Sequence, residues 1–126
     1  MRRPFSIEDR IRCFQYAFKG ILVMLKSQHN AWIHALATII VSVLGINFRI
    51  TRSEWCWIVL CIMAVWTAEA LNTAFEFLAD AASPDYHPLV GKAKDVAAGA
   101  VLISAIGSAV IGILIIGPYI LKLFPK

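Results

Sequence analysis

The sequence predicts an all-α membrane protein, with three transmembrane helices and an amphipathic helix on the membrane surface ahead of them. Three observations lead there. Apolar residues make up 60% of the 126 and the mean hydropathy is +0.72, whereas a soluble domain is about half apolar. The apolar residues gather into runs long enough to cross a bilayer, which takes about 20 residues per helix. The segment before them sets apolar and basic residues on different sides of a helix. Residues 1–126 read as a single domain.

The surface helix occupies about residues 5–27. Ile7, Ile11, Phe14, Phe18, Ile21, Leu22 and Leu25 fall within one arc at about 100° per residue, and Arg12, Lys19 and Lys26 lie together elsewhere. Such a helix lies in the interface plane. The alternative, packing on a soluble core, has no soluble core to use.

The first span, about residues 31–48, is uncharged, with His34 near its start. "RITRSE" (49–54) connects it to the second span, about 55–79, which is uncharged from Trp55 to Ala68 and then continues as "AEALNTAFEFLAD" (68–80). The Pro- and Gly-containing "AASPDYHPLVGKAKD" (81–95) leads into the third span, about 92–121, free of charge from Val96 onward. The N-terminal "MRRPFSIEDRIRCF" has neither the apolar core nor the cleavage site of a signal peptide. Cys13, Cys56 and Cys61 lack metal-ligand spacing and read as packing residues.

The formal net charge is +4, with a pI near 9.2. Basic residues scattered between apolar runs fit an anionic lipid surface, and no nucleic-acid recognition module is present. Arg2, Arg3, Arg10, Arg12, Lys19 and Lys26 precede the first span, and Lys92 and Lys94 follow the second. The opposite side holds Arg49, Arg52, Lys122 and Lys126. By the positive-inside rule the N-terminus and the 81–95 connection are cytoplasmic.

Within "AEALNTAFEFLAD", Glu69, Asn72, Glu76 and Asp80 recur at helical spacing and share one face. Charged side chains in hydrocarbon are costly and usually functional. With Trp55 at the far interface, about 20 residues of helix reach the other boundary near Ala74. Glu69 then lies just inside the hydrocarbon, Glu76 near the boundary and Asp80 in water. Desolvation disfavours the charged form of a carboxylate, and a proton-seeking oxygen at this depth suits a general base acting on a lipid hydroxyl. Glu76 and Asp80 are hard oxygen ligands of the kind Mg²⁺ takes together with phosphate. Glu69 and Glu76 stand about 10.5 Å apart along a helix axis, too far to share one metal.

"GKAKD" (91–95) places Lys92, Lys94 and Asp95 beside this face. A lysine there pairs with phosphate as a point charge, but the stretch does not make a Walker loop. From the residues alone two readings stand. One is phosphoryl transfer from a soluble nucleotide to a membrane lipid. The other is a structural bundle whose Glu and Asn tie helices together.

"AEALNTAFEFLAD" and "YHPLVGKAKDVAAGAVLISA" (86–105) resemble the bacterial integral-membrane diacylglycerol kinase and undecaprenol kinase family. The likeness extends from about Phe14 to the end and is strongest in the E-x-x-N-x-x-x-E and K-D elements. The resemblance implies a homotrimeric bundle in the bacterial cytoplasmic membrane, with active sites shared between subunits and using ATP with Mg²⁺. It makes Glu69 the base, with Asn72 beside it, and Glu76 a metal ligand and nucleotide contact. Lys94 and Asp95 become nucleotide contacts, with Tyr86, His87 and Tyr16 close to the nucleotide. The family has an arginine near the start of the surface helix, where this sequence has Asp9 with Arg10 next to it, and Arg10 takes that role. Gln28 stands where the family has a glutamate sharing the metal with Glu76. "SQHNAWIH" (27–34) resembles the undecaprenol kinase branch, in which His occupies the place of His34, and the lipid stays open between diacylglycerol and undecaprenol. Ala100, Ser104, Ser108 and Gly112 form a small-residue ladder suited to close helix packing, within or between subunits.

Overall fold

The structure is a computed structural model that describes residues 6–85 and 87–124. It consists of α1 (Ile7–Ser27), α2 (His29–Phe48), α3 (Arg52–Ala82) and α4 (Pro88–Leu121). The last three are long and apolar enough to cross a membrane. The protein is therefore the all-α membrane protein its sequence predicts.

α1 begins where the Ser6 hydroxyl accepts from the Asp9 N–H at 3.3 Å, with Glu8 and Asp9 at the positive end of the helix dipole. Its apolar arc stays open, Phe14 and Phe18 being exposed, as suits a helix floating in an interface. A single extended residue, Gln28 (φ −112°, ψ 118°), ends α1 and starts α2. The side chain of this turn residue therefore points where two helices meet.

α2 ends at Arg49, whose left-handed backbone (φ 51°, ψ 48°) closes the last turn. The Ile50 N–H reaches back to the Gly45 carbonyl at 3.1 Å and the Arg49 N–H to the Ile46 carbonyl at 3.1 Å, the paired bonds of a Schellman ending. Ile50, just past the helix, is driven into a small core with Ile58 and Ile116. Thr51 and Glu54 then form a capping box that opens α3. The Tyr119 hydroxyl donates to the same Glu54 carboxylate at 2.9 Å, fastening the end of α4 to the start of α3.

α3 and α4 form the principal helix pair. At 31 and 34 residues they measure about 45–50 Å, longer than the ~30 Å hydrocarbon layer. Both are therefore long enough to extend beyond the hydrocarbon. The turn between them is shorter than the 81–95 connection read from the sequence. Pro88 occupies the first turn of α4, and the His87 Nδ1 caps it by accepting from the Leu89 N–H at 3.2 Å. Lys92, Lys94 and Asp95 consequently ride on helix rather than on loop. Of the small-residue ladder, the Ser108 hydroxyl donates to the Cys61 carbonyl at 3.3 Å, so at this level the ladder faces α3 of the same chain. The cysteines are free thiols, and Cys13 and Cys56 are exposed rather than the packing residues expected, because each lies on an outward face of its helix.

α2 also packs against α3, and it touches α4 where Phe48 stacks on Tyr119. The Trp66 Nε1–H donates to Thr38 Oγ1 at 3.1 Å, and the Thr38 hydroxyl donates to the His34 carbonyl at 2.7 Å. Nearer the far end, Gly45 lets the Trp55 ring come so close that a Cβ there would stand 2.9 Å from it. Three helices bury little of one another, and Leu36, Ile40, Ile103 and Leu114 point outward. Such a surface suits lipid or further protein, not water.

Candidate active site

The polar stripe of α3 turns inward. Glu69 is 0% exposed, Asn72 5% and Thr73 3%, and they are the buried polar side chains among the described residues. α2 and the α1–α2 junction cover this face, which is why carboxylates on an apolar helix end up shielded. Exposure then rises along the stripe, with Glu76 half-buried and Asp80 exposed. Burial among the helices thus falls from Glu69 to Asp80.

At the inner end, Glu69 Oε2 faces His34 Nε2 at 3.6 Å. Both Glu69 carboxylate oxygens lack a hydrogen-bond partner among the described residues. One turn further, the Thr73 hydroxyl donates to the Glu69 carbonyl at 2.8 Å and fixes the backbone there. At the middle level Glu76 accepts from Gln28 Nε2 at 2.6 Å and from Asn72 Nδ2 at 3.3 Å. At the outer level Lys94 Nζ lies 2.9 Å from Asp80 Oδ1.

The buried Asn72 also borders a second feature. Between α3 and α4 runs a groove of about 1010 Å³, lined chiefly by apolar residues such as Leu60, Leu71, Phe75 and Val96, with Thr67, Asn72 and Lys92 as polar members. A smaller hollow of about 520 Å³ adjoins it toward the turn, and His87 and Lys94 are among its walls. Asn72 thus belongs both to the carboxylate row and to an apolar groove. Its Oδ1 has no partner among the described residues, so one acceptor remains for a ligand.

Of the residues expected in the site, the fold joins Gln28, Glu69, Asn72 and Glu76 into one cluster and pairs Asp80 with Lys94. Asp95 is exposed on α4, His87 caps that helix, and Tyr16 and Arg10 are exposed on α1. Tyr86 lies outside the described residues. Two partnerships escaped the sequence reading. His34 stood out only as a lone histidine at the head of an uncharged span, and Lys94 gave no sign that Asp80 would hold it.

The ligand chemistry can be tested against Mg²⁺. No group of three or more His, Cys, Asp or Glu side chains among the described residues can hold a metal. Mg²⁺ bound with a nucleotide needs only one or two carboxylates, the rest of its shell being phosphate and water. Glu76, half-buried beside the Gln28 amide, is a donor set of that kind. Gln28 currently offers its N–H, and its Oε1 reaches Glu76's neighbourhood only if the amide turns over. The residues fit a metal held jointly with phosphate, and no all-protein cage.

A membrane-crossing bundle with a shielded carboxylate, an apolar groove and a cationic rim defines a class, an integral-membrane protein built to hold something part lipid and part anion. Comparison with known proteins narrows it. The family model described as Prokaryotic diacylglycerol kinase matches residues 15–116. An undecaprenol kinase from Bacillus subtilis is 37% identical over 107 residues, covering 85% of this chain and 87% of that protein. A diacylglycerol kinase from Synechocystis is 32% identical over 111 residues, covering 87% of this chain and 63% of that protein. One from Helicobacter pylori is 29% identical over 130 aligned positions, covering 97% and 98%. The chain belongs to the prokaryotic diacylglycerol kinase family. It is a lipid kinase, which decides between the two readings the residues had left standing.

Proposed function

We propose that this chain transfers the γ-phosphoryl group of ATP to the hydroxyl of a membrane lipid at the cytoplasmic face of the bacterial inner membrane. Glu69 is the general base. The observation carrying this is the state of Glu69, which is wholly buried at the inner end of a carboxylate row, its carboxylate oxygens without a hydrogen-bond partner among the described residues. The lipid hydroxyl enters beside Asn72, whose unpartnered Oδ1 accepts from it or orients it, while the lipid tail lies along the α3–α4 groove. The hydroxyl oxygen attacks the γ-phosphorus, its proton passes to Glu69, and the bond to the β-phosphate oxygen breaks, releasing ADP.

Glu76, with Gln28 as a second ligand, would hold Mg²⁺ jointly with the nucleotide. When bound, the metal neutralises developing charge on the phosphates. Lys94 leaves Asp80 to pair with a phosphate oxygen, and Asp95, His87, Tyr86, Tyr16 and Arg10 complete the nucleotide contacts. Within one chain Tyr16 is 69% exposed and the groove lies open on one side. A homotrimer in which neighbours close each site accounts for both, and for the outward apolar faces of α2 and α4. The Lys and Arg clustered before α2 and after α3 support a cytoplasmic N-terminus and 81–95 connection.

Either diacylglycerol or undecaprenol meets these requirements, as each is a hydroxyl on an apolar tail. Purified protein in micelles, labelled ATP and Mg²⁺, with each lipid offered separately, tests the proposal and names the substrate. Glu69→Gln should lower turnover by about 10²–10⁴-fold, the usual worth of a general base, while ATP binding persists. Normal turnover by this variant would remove Glu69 from the chemistry.

A further inference from the structure

Glu69 must lose the acquired proton before it can serve again, and it is shut off from water. His34, on α2, is the basic group that meets it, with Nε2 3.6 Å from Glu69 Oε2 and side-chain exposures of 14% and 0%. His34 Nε2 and both Glu69 oxygens lack hydrogen-bond partners among the described residues. The spacing exceeds hydrogen-bond range, about 2.7–3.2 Å. A buried pair serving only to join helices would close that gap, because unmet polar groups are costly. Catalytic pairs, by contrast, are often loose until substrate tightens them.

The bonds around the pair go to the two backbone carbonyls and not to the facing side-chain atoms. The Thr38 hydroxyl donates to the His34 carbonyl, Trp66 donates to Thr38, and the Thr73 hydroxyl donates to the Glu69 carbonyl. The other charged or polar groups near this pocket are bonded elsewhere, apart from the unpartnered Asn72 Oδ1. Glu76 and Gln28 bond each other, Asn72 donates to Glu76, and Lys94 is paired with Asp80.

We propose that His34 relays the proton, its Nε2 receiving from Glu69 the hydrogen that the carboxylate has taken from the lipid hydroxyl. The inference rests on Glu69 being the base. The lipid O–H bond breaks as the O–P bond forms, and the proton moves to Glu69 Oε2 and on to Nε2. ADP departs with the electrons of the broken P–O bond. Glu69 is left anionic, and the partly exposed imidazolium sheds the proton to water. His34 acts through Glu69 and is a positioning residue that does not touch the phosphoryl group.

Chemical rescue tests this in intact protein in micelles with ATP, Mg²⁺ and the accepted lipid. His34→Ala should lower kcat by about tenfold or more, leave both KM values within twofold, and regain activity as imidazole is added. A slow His34→Ala protein that imidazole does not restore, or one as fast as wild type, overturns the relay. If the alanine variant does not fold, His34→Gln keeps size and polarity without a usable base. A loss confined to kcat then supports the relay, and an unchanged kcat or a change in KM alone overturns it. A Glu69→Gln control separates the two ideas. If that control turns over normally, the base assignment itself fails. If it is inactive while the His34 variants are normal, only the relay fails.

Discussion

The Gln28 amide donates to the Glu76 carboxylate at 2.6 Å, tying the α1–α2 junction to α3 across 48 positions of sequence. A neutral donor thus occupies a place where a second carboxylate would face the first. Gln28→Glu should therefore have opposite effects with and without metal. In chelator the two carboxylates repel and the melting temperature falls. With Mg²⁺ the added charge strengthens the site, lowering the concentration for half-maximal activity roughly tenfold. A Mg²⁺ titration of activity beside melting curves checks both, and an unaltered Mg²⁺ requirement takes Gln28 out of the metal site.

Lys94 and Asp80 meet at 2.9 Å with much of both side chains exposed. Exposed ion pairs contribute little to stability, so breaking this one should hardly move the melting temperature. Under the proposed function its effect belongs to the nucleotide. Lys94→Met should raise the KM for ATP roughly tenfold, the worth of one charged hydrogen bond. Asp80→Asn, which releases Lys94 from its partner, should lower that KM. A raised KM in Asp80→Asn would mean that Asp80 itself holds the nucleotide.

Gly45 faces the Trp55 ring, and an added Cβ would stand 2.9 Å from two ring carbons and 3.1 Å from the Ile50 methyl. A rigid indole cannot yield as a flexible chain end does. Gly45→Ala should cost about 1–3 kcal/mol, as overpacking does. Pairing it with Trp55→Phe should recover part of the loss. Thermal unfolding of the three proteins in one detergent reads the outcome.

At the opposite end from the carboxylate row, the Tyr119 hydroxyl donates to Glu54, whose carboxylate also accepts from the Thr51 N–H and hydroxyl. Tyr119→Phe removes one of these bonds and leaves the capping box whole. The variant should melt earlier yet turn over at the wild-type rate. A fall in kcat without a fall in melting temperature would show that this end communicates with the site.

Much of the fold was legible because its causes are local. Helical spacing put Ile7, Phe14 and Phe18 on one arc, and long uncharged runs marked the spans, since hydrocarbon tolerates only internally bonded helices. Glu69, Asn72, Glu76 and Asp80 had to share a face once the segment was helical. The start of α4 was less visible. "PLVGKAKD" holds a proline and a glycine, which read as breakers until His87 was seen capping a helix with Pro88 in its first turn.

The sequence by itself determined the membrane class, the helices and the acidic stripe, for each follows from residues a few positions apart. Which neighbours that stripe would have was decided by the tertiary structure. Gln28 meets Glu76, His34 meets Glu69 and Lys94 meets Asp80 because the α1–α2 junction, α2 and α4 each pack against α3. Helical periodicity says which way a side chain faces along its own helix. Only the packing of one helix against another says what it finds there.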